Sequence, residues 1–172
     1  MRHGIVNRDL LPGNVCYGCG HDNPNGLKIE IRRDTEDEER LVASFEPPDY
    51  MIGFPGITHG GALYTAMDCL AAWTPMVLRR ATKAIWMLRS ASIKYLRPAQ
   101  QGKSLMLSAT IQAEGEQWEP IVVQTEARDH HDNLLATGRF KVVPLSPRKF
   151  KKVAGLSSLP SNWSKFLGES TT

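Results

Sequence analysis

The fold turns on Thr58-His59-Gly60-Gly61-Ala62-Leu63-Tyr64-Thr65-Ala66-Met67-Asp68-Cys69-Leu70-Ala71-Ala72-Trp73. Ala62, Leu63, Tyr64, Ala66, Met67, Cys69, Leu70, Ala71, Ala72 and Trp73 are apolar or nearly so and leave no wide polar stripe at helical spacing. A helix that is hydrophobic all round is one the protein surrounds. Asp68 sits in its middle, and an ionised group buried without a partner is costly enough to need a reason. The start of the helix is also unusual. Thr58 reads as the N-cap, yet Gly60 and Gly61 follow in the first turn, where glycine costs about 1 kcal/mol relative to alanine. Glycine there lets the backbone approach another group closely, and first-turn amides have no acceptor within the helix. Such a start suits a carbonyl or an oxyanion.

Gly60 and Asp68 are eight residues apart, a helical rise of roughly 12 Å. Within one chain they cannot both touch one small reacting group. The simplest arrangement that joins them sets the helix of one subunit beside that of a second, so that Asp68 of one faces Gly60 of the other. A two-fold axis then makes two sites per dimer.

Outside this helix the pattern has period two. Gly26 to Arg33 places Leu27, Ile29 and Ile31 on one face, and Arg40 to Glu46 places Leu41, Ala43 and Phe45 inward. The acidic run Asp34 to Glu39 between them reads as a solvated hairpin tip. Pro47, Pro48, Gly53, Pro55 and Gly56 make an irregular approach to the helix. After Trp73, Thr74-Pro75 resembles a fresh N-cap with proline at the first helical position, so a break is expected there, with Met76 to Ala81 as a second piece. Ile85 to Arg97 then reads as a long central strand ended by Pro98. Ile85, Met87, Ala91, Ile93 and Tyr95 share one face with Arg89 and Arg97, and Trp86, Leu88, Ser90, Ser92 and Lys94 share the other. Ser104 to Ala113, Trp118 to Arg128 and Leu134 to Val143 follow as strands, with tips at Glu114-Gly115-Glu116 and Asp129 to Asn133. His130 and His131 at the second tip read as solvated.

Two strands, one buried helix and four strands give an α+β fold, an antiparallel sheet wrapped on one long central helix. This domain spans 27–144, after a turn-rich lead-in at 1–26. Residues 145–172, with Arg148, Lys149, Lys151 and Lys152 followed by Ser, Gly and Pro, read as a basic, flexible tail or as a rim for a phosphate-bearing ligand.

Composition narrows the function. With 172 residues and 41% hydrophobic content the chain fills one core. A formal charge of +3 does not support a nucleic-acid binder. The three cysteines are an odd number, which speaks against a secreted disulfide framework. The first residues lack the apolar core of a signal peptide, and no stretch reaches the ~20 apolar residues of a membrane span, so the cytoplasm is the expected address and no membrane partner is expected. Cys16-x-x-Cys19 followed by His21 invites a zinc reading, but the remaining histidines supply no partner spacing. The expectation is no metal and no cofactor, the segment being a tight turn with small thiols packed inward.

His59-Gly60-Gly61 with Asp68 nine residues after the histidine, followed by Ile93-Lys94-Tyr95-Leu96-Arg97-Pro98, resembles the hotdog-fold acyl-CoA thioesterases of the phenylacetate-pathway type. The resemblance runs from about Leu27 to Pro144, and Cys16 to Leu27 is similar to the lead-in of a subset of hotdog proteins. It implies hydrolysis of an acyl-CoA thioester at a dimer interface, with dimers able to pair into tetramers. The Gly60 N–H would polarise the thioester carbonyl, and Asp68 of the facing subunit would act as general base or nucleophile. His59 would shape the turn or contact the thioester. Gly61, Ser90, Arg97 and Arg148 are the expected substrate contacts, the two arginines for the CoA phosphates. The family's asparagine six residues before the histidine is Gly53 here. Its serine or threonine early in the following strand is Leu88, and Ser90 is the nearest hydroxyl. Two other readings remain open. One is an acyl-CoA binding protein without turnover. The other is an enoyl-thioester hydratase or dehydratase, prompted by Phe54-Pro55-Gly56 but lacking a histidine at Gly53.

Overall fold

The structure, a computed structural model, describes residues 4–79, 82–112 and 116–168. Ala81, Ala113, Glu114 and Gly115, named above in the second helical piece, a strand end and a hairpin tip, lie outside the described residues. A short helix α1 (Val6–Leu10) precedes β1 (Glu30–Arg33), β2 (Arg40–Phe45) and a small hairpin of β3 (Ile52–Phe54) and β4 (Ile57–Thr58). The central helix α2 (Gly60–Leu78) follows, then β5 (Ile85–Tyr95), β6 (Leu105–Ile111), β7 (Ile121–Arg128), β8 (Leu134–Leu145), α3 (Pro147–Ala154) and α4 (Ser164–Leu167).

Six strands form one antiparallel sheet in the order β1-β2-β6-β7-β8-β5. Alternation sets its inner face. Leu41, Ala43 and Phe45 of β2, Leu105, Leu107 and Ala109 of β6, Val123 and Ala127 of β7, and Ala136, Phe140 and Val142 of β8 are all buried. They close on Leu63, Ala66, Met67 and Leu70 of α2, which gives the α+β layering expected from the pattern. No helix among the described residues is long and apolar enough to cross a membrane.

Four local expectations are corrected. His59, not Thr58, is the N-cap of α2: its Nδ1 accepts from the Gly61 N–H at 2.9 Å. Thr58 ends β4 instead, its N–H donating to the Ala99 carbonyl and its hydroxyl to that of Gln100. The helix does not break at Pro75. Proline inside a helix costs about 3 kcal/mol, whereas burial of Met76 and Val77 beyond it returns about 1.5–3 kcal/mol each. Thr74, expected as a new cap, is a buried helical residue whose hydroxyl donates to the Leu70 carbonyl at 2.7 Å. Thr74→Val should cost about 1 kcal/mol, because that carbonyl keeps its helical partner; urea unfolding would read it. At the far end, the Arg33 guanidinium donates to the Val77 carbonyl at 3.2 Å, where a cation is favourable.

The third correction concerns β5. It is an edge strand, not a central one: β6, β7 and β8 form a meander whose last strand returns beside β5 and leaves its other side bare. Within β5 the register shifts between Leu88 and Ser90. Leu88 opposes buried Val142, and Ala91, Ile93 and Tyr95 oppose Phe140, Gly138 and Ala136. Ser90 opposes exposed Lys141. A β-bulge at Arg89 has therefore turned the strand over, and Ser90 no longer shares the face of Leu88.

The fourth concerns the two ends. The lead-in contains α1, and the tail carries helices and packs. Asn7 is fully buried: its amide donates to the carbonyls of Cys19 (2.7 Å) and Ile29 (2.9 Å), and its Oδ1 accepts from the Ile31 N–H (3.0 Å). Phe166 and Leu167 are buried, and Asn162 and Trp163 both donate to the Pro12 carbonyl. Buried hydrophobes and long-range hydrogen bonds replace the looseness that the Ser- and Gly-rich composition suggests.

Candidate functional site

The N-terminus of α2 opens into a cavity of about 470 Å³ lined by Gly53, Phe54, Ile57, His59, Gly60 and Leu63 of the approach and helix, by Tyr95 at the end of β5, and by Leu96 and Arg97 beyond it. Its donors follow from the cap. The Gly61 N–H is taken by the His59 ring and the Ala62 N–H by the His59 carbonyl at 2.9 Å. The Gly60 N–H is the first-turn donor that neither of these uses. Tyr95 fixes this turn by donating its hydroxyl to the Gly60 carbonyl at 3.1 Å. Since His59 Nδ1 accepts, a neutral ring carries its proton on Nε2. Arg97 borders the cavity, and its guanidinium donates to the Leu134 carbonyl at 2.8 Å. His59, Gly60 and Arg97 are thus brought together.

Asp68 lies elsewhere. It lines a second cavity, about 360 Å³, with Leu11, Asn14, Cys16, Cys19 and Cys69, walled by Trp73, Leu88, Phe150 and Trp163. Its carboxyl is pushed up to about 6, first by burial and then by the negative charge at Cys16. Within one chain the Gly60 amide and the Asp68 carboxylate occupy separate cavities, as the spacing along the helix requires. Leu88 lines the Asp68 cavity. Ser90 points to the opposite side of the sheet. Arg148 is exposed on α3 and does not share the Arg97 cavity.

The sequence reading missed one constellation. Cys16, Cys19 and Cys69 bring their sulfurs within 4.8 Å of one another. His21, the ligand that spacing suggested, is outside that group, and its Nε2 is buried without a hydrogen-bond partner among the described residues. The Cys16 thiol is held low by hydrogen bonds from the Cys19 and Cys69 thiols, and those two are correspondingly raised. The signal that could have found Cys69 is its place beside Asp68 in an otherwise apolar helix.

Residues 55–117 match the sequence model of the thioesterase superfamily. No curated protein matches the chain. Among solved structures the chain is similar to the PaaI protein from the phenylacetic acid degradation operon of E. coli, with a TM-score of 0.59 at 21% identity over 69% of this chain and 80% of that one. It is also similar to smu.793 of Streptococcus mutans, solved bound to acetyl CoA (TM-score 0.55, 18% identity, 62% and 82% covered). A hypothetical thioesterase protein of Streptococcus pneumoniae, solved with coenzyme A, gives a TM-score of 0.57 at 15% identity over 67% of this chain and 86% of that one. The fold shared with these proteins is the hotdog fold.

Proposed function

We propose that this hotdog protein, whose residues 55–117 carry the thioesterase-superfamily match, hydrolyses acyl-CoA thioesters at a site completed by a second copy of the chain. The observation that supports it best is the first-turn donor at Gly60, which has no acceptor among the described residues and is held in place by His59 and Tyr95 at the mouth of a cavity bordered by Arg97. The thioester carbonyl oxygen accepts from the Gly60 N–H. Asp68 of the second copy takes a proton from water as that water attacks the carbonyl carbon. Charge developing on the oxygen is met by a preoriented amide at the positive end of a helix. The carbon–sulfur bond then breaks, CoA leaves as thiolate and the free acid remains. Aspartate acting as nucleophile is the variant of this route, with an anhydride that water resolves. The bare edge of β5, eleven residues long, and the part-exposed Tyr64-Asp68-Ala72 stripe of α2 are the surfaces a second copy would cover.

The test is a panel of short, medium and aromatic acyl-CoAs offered to the wild-type protein and to Asp68→Ala, with free thiol as readout. Thiol release that depends on Asp68 supports hydrolysis; none above the variant's level ends it. Arg97→Ala should raise KM several-fold and leave kcat within about two-fold, the pattern of a contact made equally in ground and transition states; steady-state kinetics against CoA and pantetheine esters checks this. A second reading, acyl-CoA binding without turnover, is favoured by the bulge that leaves Leu88 rather than a hydroxyl beside Asp68. Tight binding of a non-hydrolysable acyl-CoA with no thiol released from the true thioester would select it.

A further inference from the structure

We propose that Cys16, Cys19 and Cys69 bind a soft divalent metal ion, Zn²⁺ above all, through three thiolates, with the fourth coordination position facing the Asp68 cavity. The sulfurs are already gathered, all within 4.8 Å of one another. Three sulfurs at a Zn–S distance of ~2.3 Å in a tetrahedron stand ~3.8 Å apart, so small side-chain rotations complete the geometry.

The backbone around them is shaped for this. Cys16-Tyr17-Gly18-Cys19-Gly20 makes a tight turn closed by the Gly20 N–H donating to the Cys16 carbonyl at 2.9 Å. A Cβ on Gly20 would strike the Cys16 backbone and the Asn14 carbonyl, and one on Gly18 would strike the Cys69 sulfur. Both positions must therefore be glycine for the turn to sit on α2 with Cys69 against it. Asn7 holds the same turn from behind through the Cys19 carbonyl.

The donors around the sulfurs point the same way. The buried Trp73 indole N–H donates to the Cys19 sulfur at 3.2 Å, and the Asn14 amide reaches it at 4.0 Å. A neutral thiol is a weak acceptor, whereas a metal-bound thiolate is a good one and is oriented by such outer donors. A cluster of inert thiols would not need an indole and a side-chain amide N–H aimed at one of its sulfurs. A disulfide would use two sulfurs and leave the third without a role. Three thiolates select zinc over the harder ions. A fourth position that opens on a cavity is the pattern of a site able to hold water or another small donor.

This inference stands apart from the hydrolysis reading, since metal content is measured without substrate. Tag-free protein, purified under reducing conditions, is loaded with Zn²⁺ or Co²⁺, dialysed against metal-free buffer and assayed for metal by mass spectrometry. The expected result is one ion per chain, with thiolate-to-cobalt charge-transfer absorption in the Co²⁺ form and all three thiols shielded from a thiol reagent until a chelator is added. Cys16→Ser, at an exposed position, and Cys69→Ser should lose stoichiometric metal. Trp73→Phe, which removes only the outer donor, should weaken zinc binding by about 10-fold. Loaded wild-type protein that retains less than about a tenth of an equivalent of metal and exposes three reactive thiols would overturn the proposal, as would a Cys16–Cys19 disulfide that persists under reducing conditions.

Discussion

Asp68→Ala should lower kcat for acyl-CoA hydrolysis by about 10²- to 10⁴-fold, the range spanned by loss of a positioned general base, with KM changed little. That corresponds to roughly 3–5 kcal/mol of barrier. The expectation rests on the isolation of the group. It lies in a largely apolar cavity, its carboxyl raised to about 6 by burial, and among the described residues no hydrogen bond or ion pair ties it to a structural partner. Removing it leaves no paired charge stranded, so the fold should survive. Single-turnover thiol release measures the chemical step, and circular dichroism checks the fold. Metal content of the variant should be recorded alongside. A variant that keeps its metal and loses only turnover assigns the loss to the carboxylate. Equal turnover by variant and wild type would exclude Asp68 from the chemistry, and a protein monomeric at assay concentration would remove the facing-subunit geometry.

Replacement of Asn7 by leucine should destabilise the protein by about 3–5 kcal/mol. It strands the Cys19 and Ile29 carbonyls and the Ile31 N–H in the interior, each at a cost of about 1–3 kcal/mol that is not fully additive. Against a typical total stability of about 5–15 kcal/mol this is a large fraction, and the melting temperature should fall by roughly 10 °C. Asn7→Asp should be no milder. It keeps an acceptor for Ile31 but loses both amide donations and sets a charge against two carbonyls. Scanning calorimetry of the two variants, with Thr74→Val as the mild comparison, gives the ranking. An Asn7 variant as stable as Thr74→Val would show that water or a backbone shift satisfies those groups.

Much of this architecture was legible because it is local. The run from Ala62 to Trp73 announces a buried helix by composition alone, and alternation at Leu41, Ala43 and Phe45 and along β7 and β8 marks the inner sheet face. What depends on partners distant in sequence was not. β5 reads as central because it is long and rich in β-formers, yet only the pairing order places it at the edge. The bulge at Arg89 leaves no mark in the residues, so Ser90 was assigned to the wrong face. Pro75 reads as a helix start because its cost is visible, while the burial of Met76 and Val77 that offsets it is tertiary. The same holds at the site. His59, Gly60 and Asp68 could be named from a short motif and helix geometry. The company of Cys16 and Cys19 could not, because Cys69 lies fifty residues further on, and the turn that carries the pair meets α2 only once Asn7 has tied it to β1.

The clasp that Asn162 and Trp163 make on the Pro12 carbonyl has a consequence for biosynthesis. Cys16 and Cys19 leave the ribosome first, and Cys69 follows. Phe150 and Trp163, which wall their cavity, come 81 and 94 residues after Cys69. At about 5–20 residues per second the thiols wait several seconds without a roof. A newborn chain therefore meets ions and oxidants with all three thiols open, whereas the finished protein leaves Cys16 exposed and Cys19 and Cys69 buried.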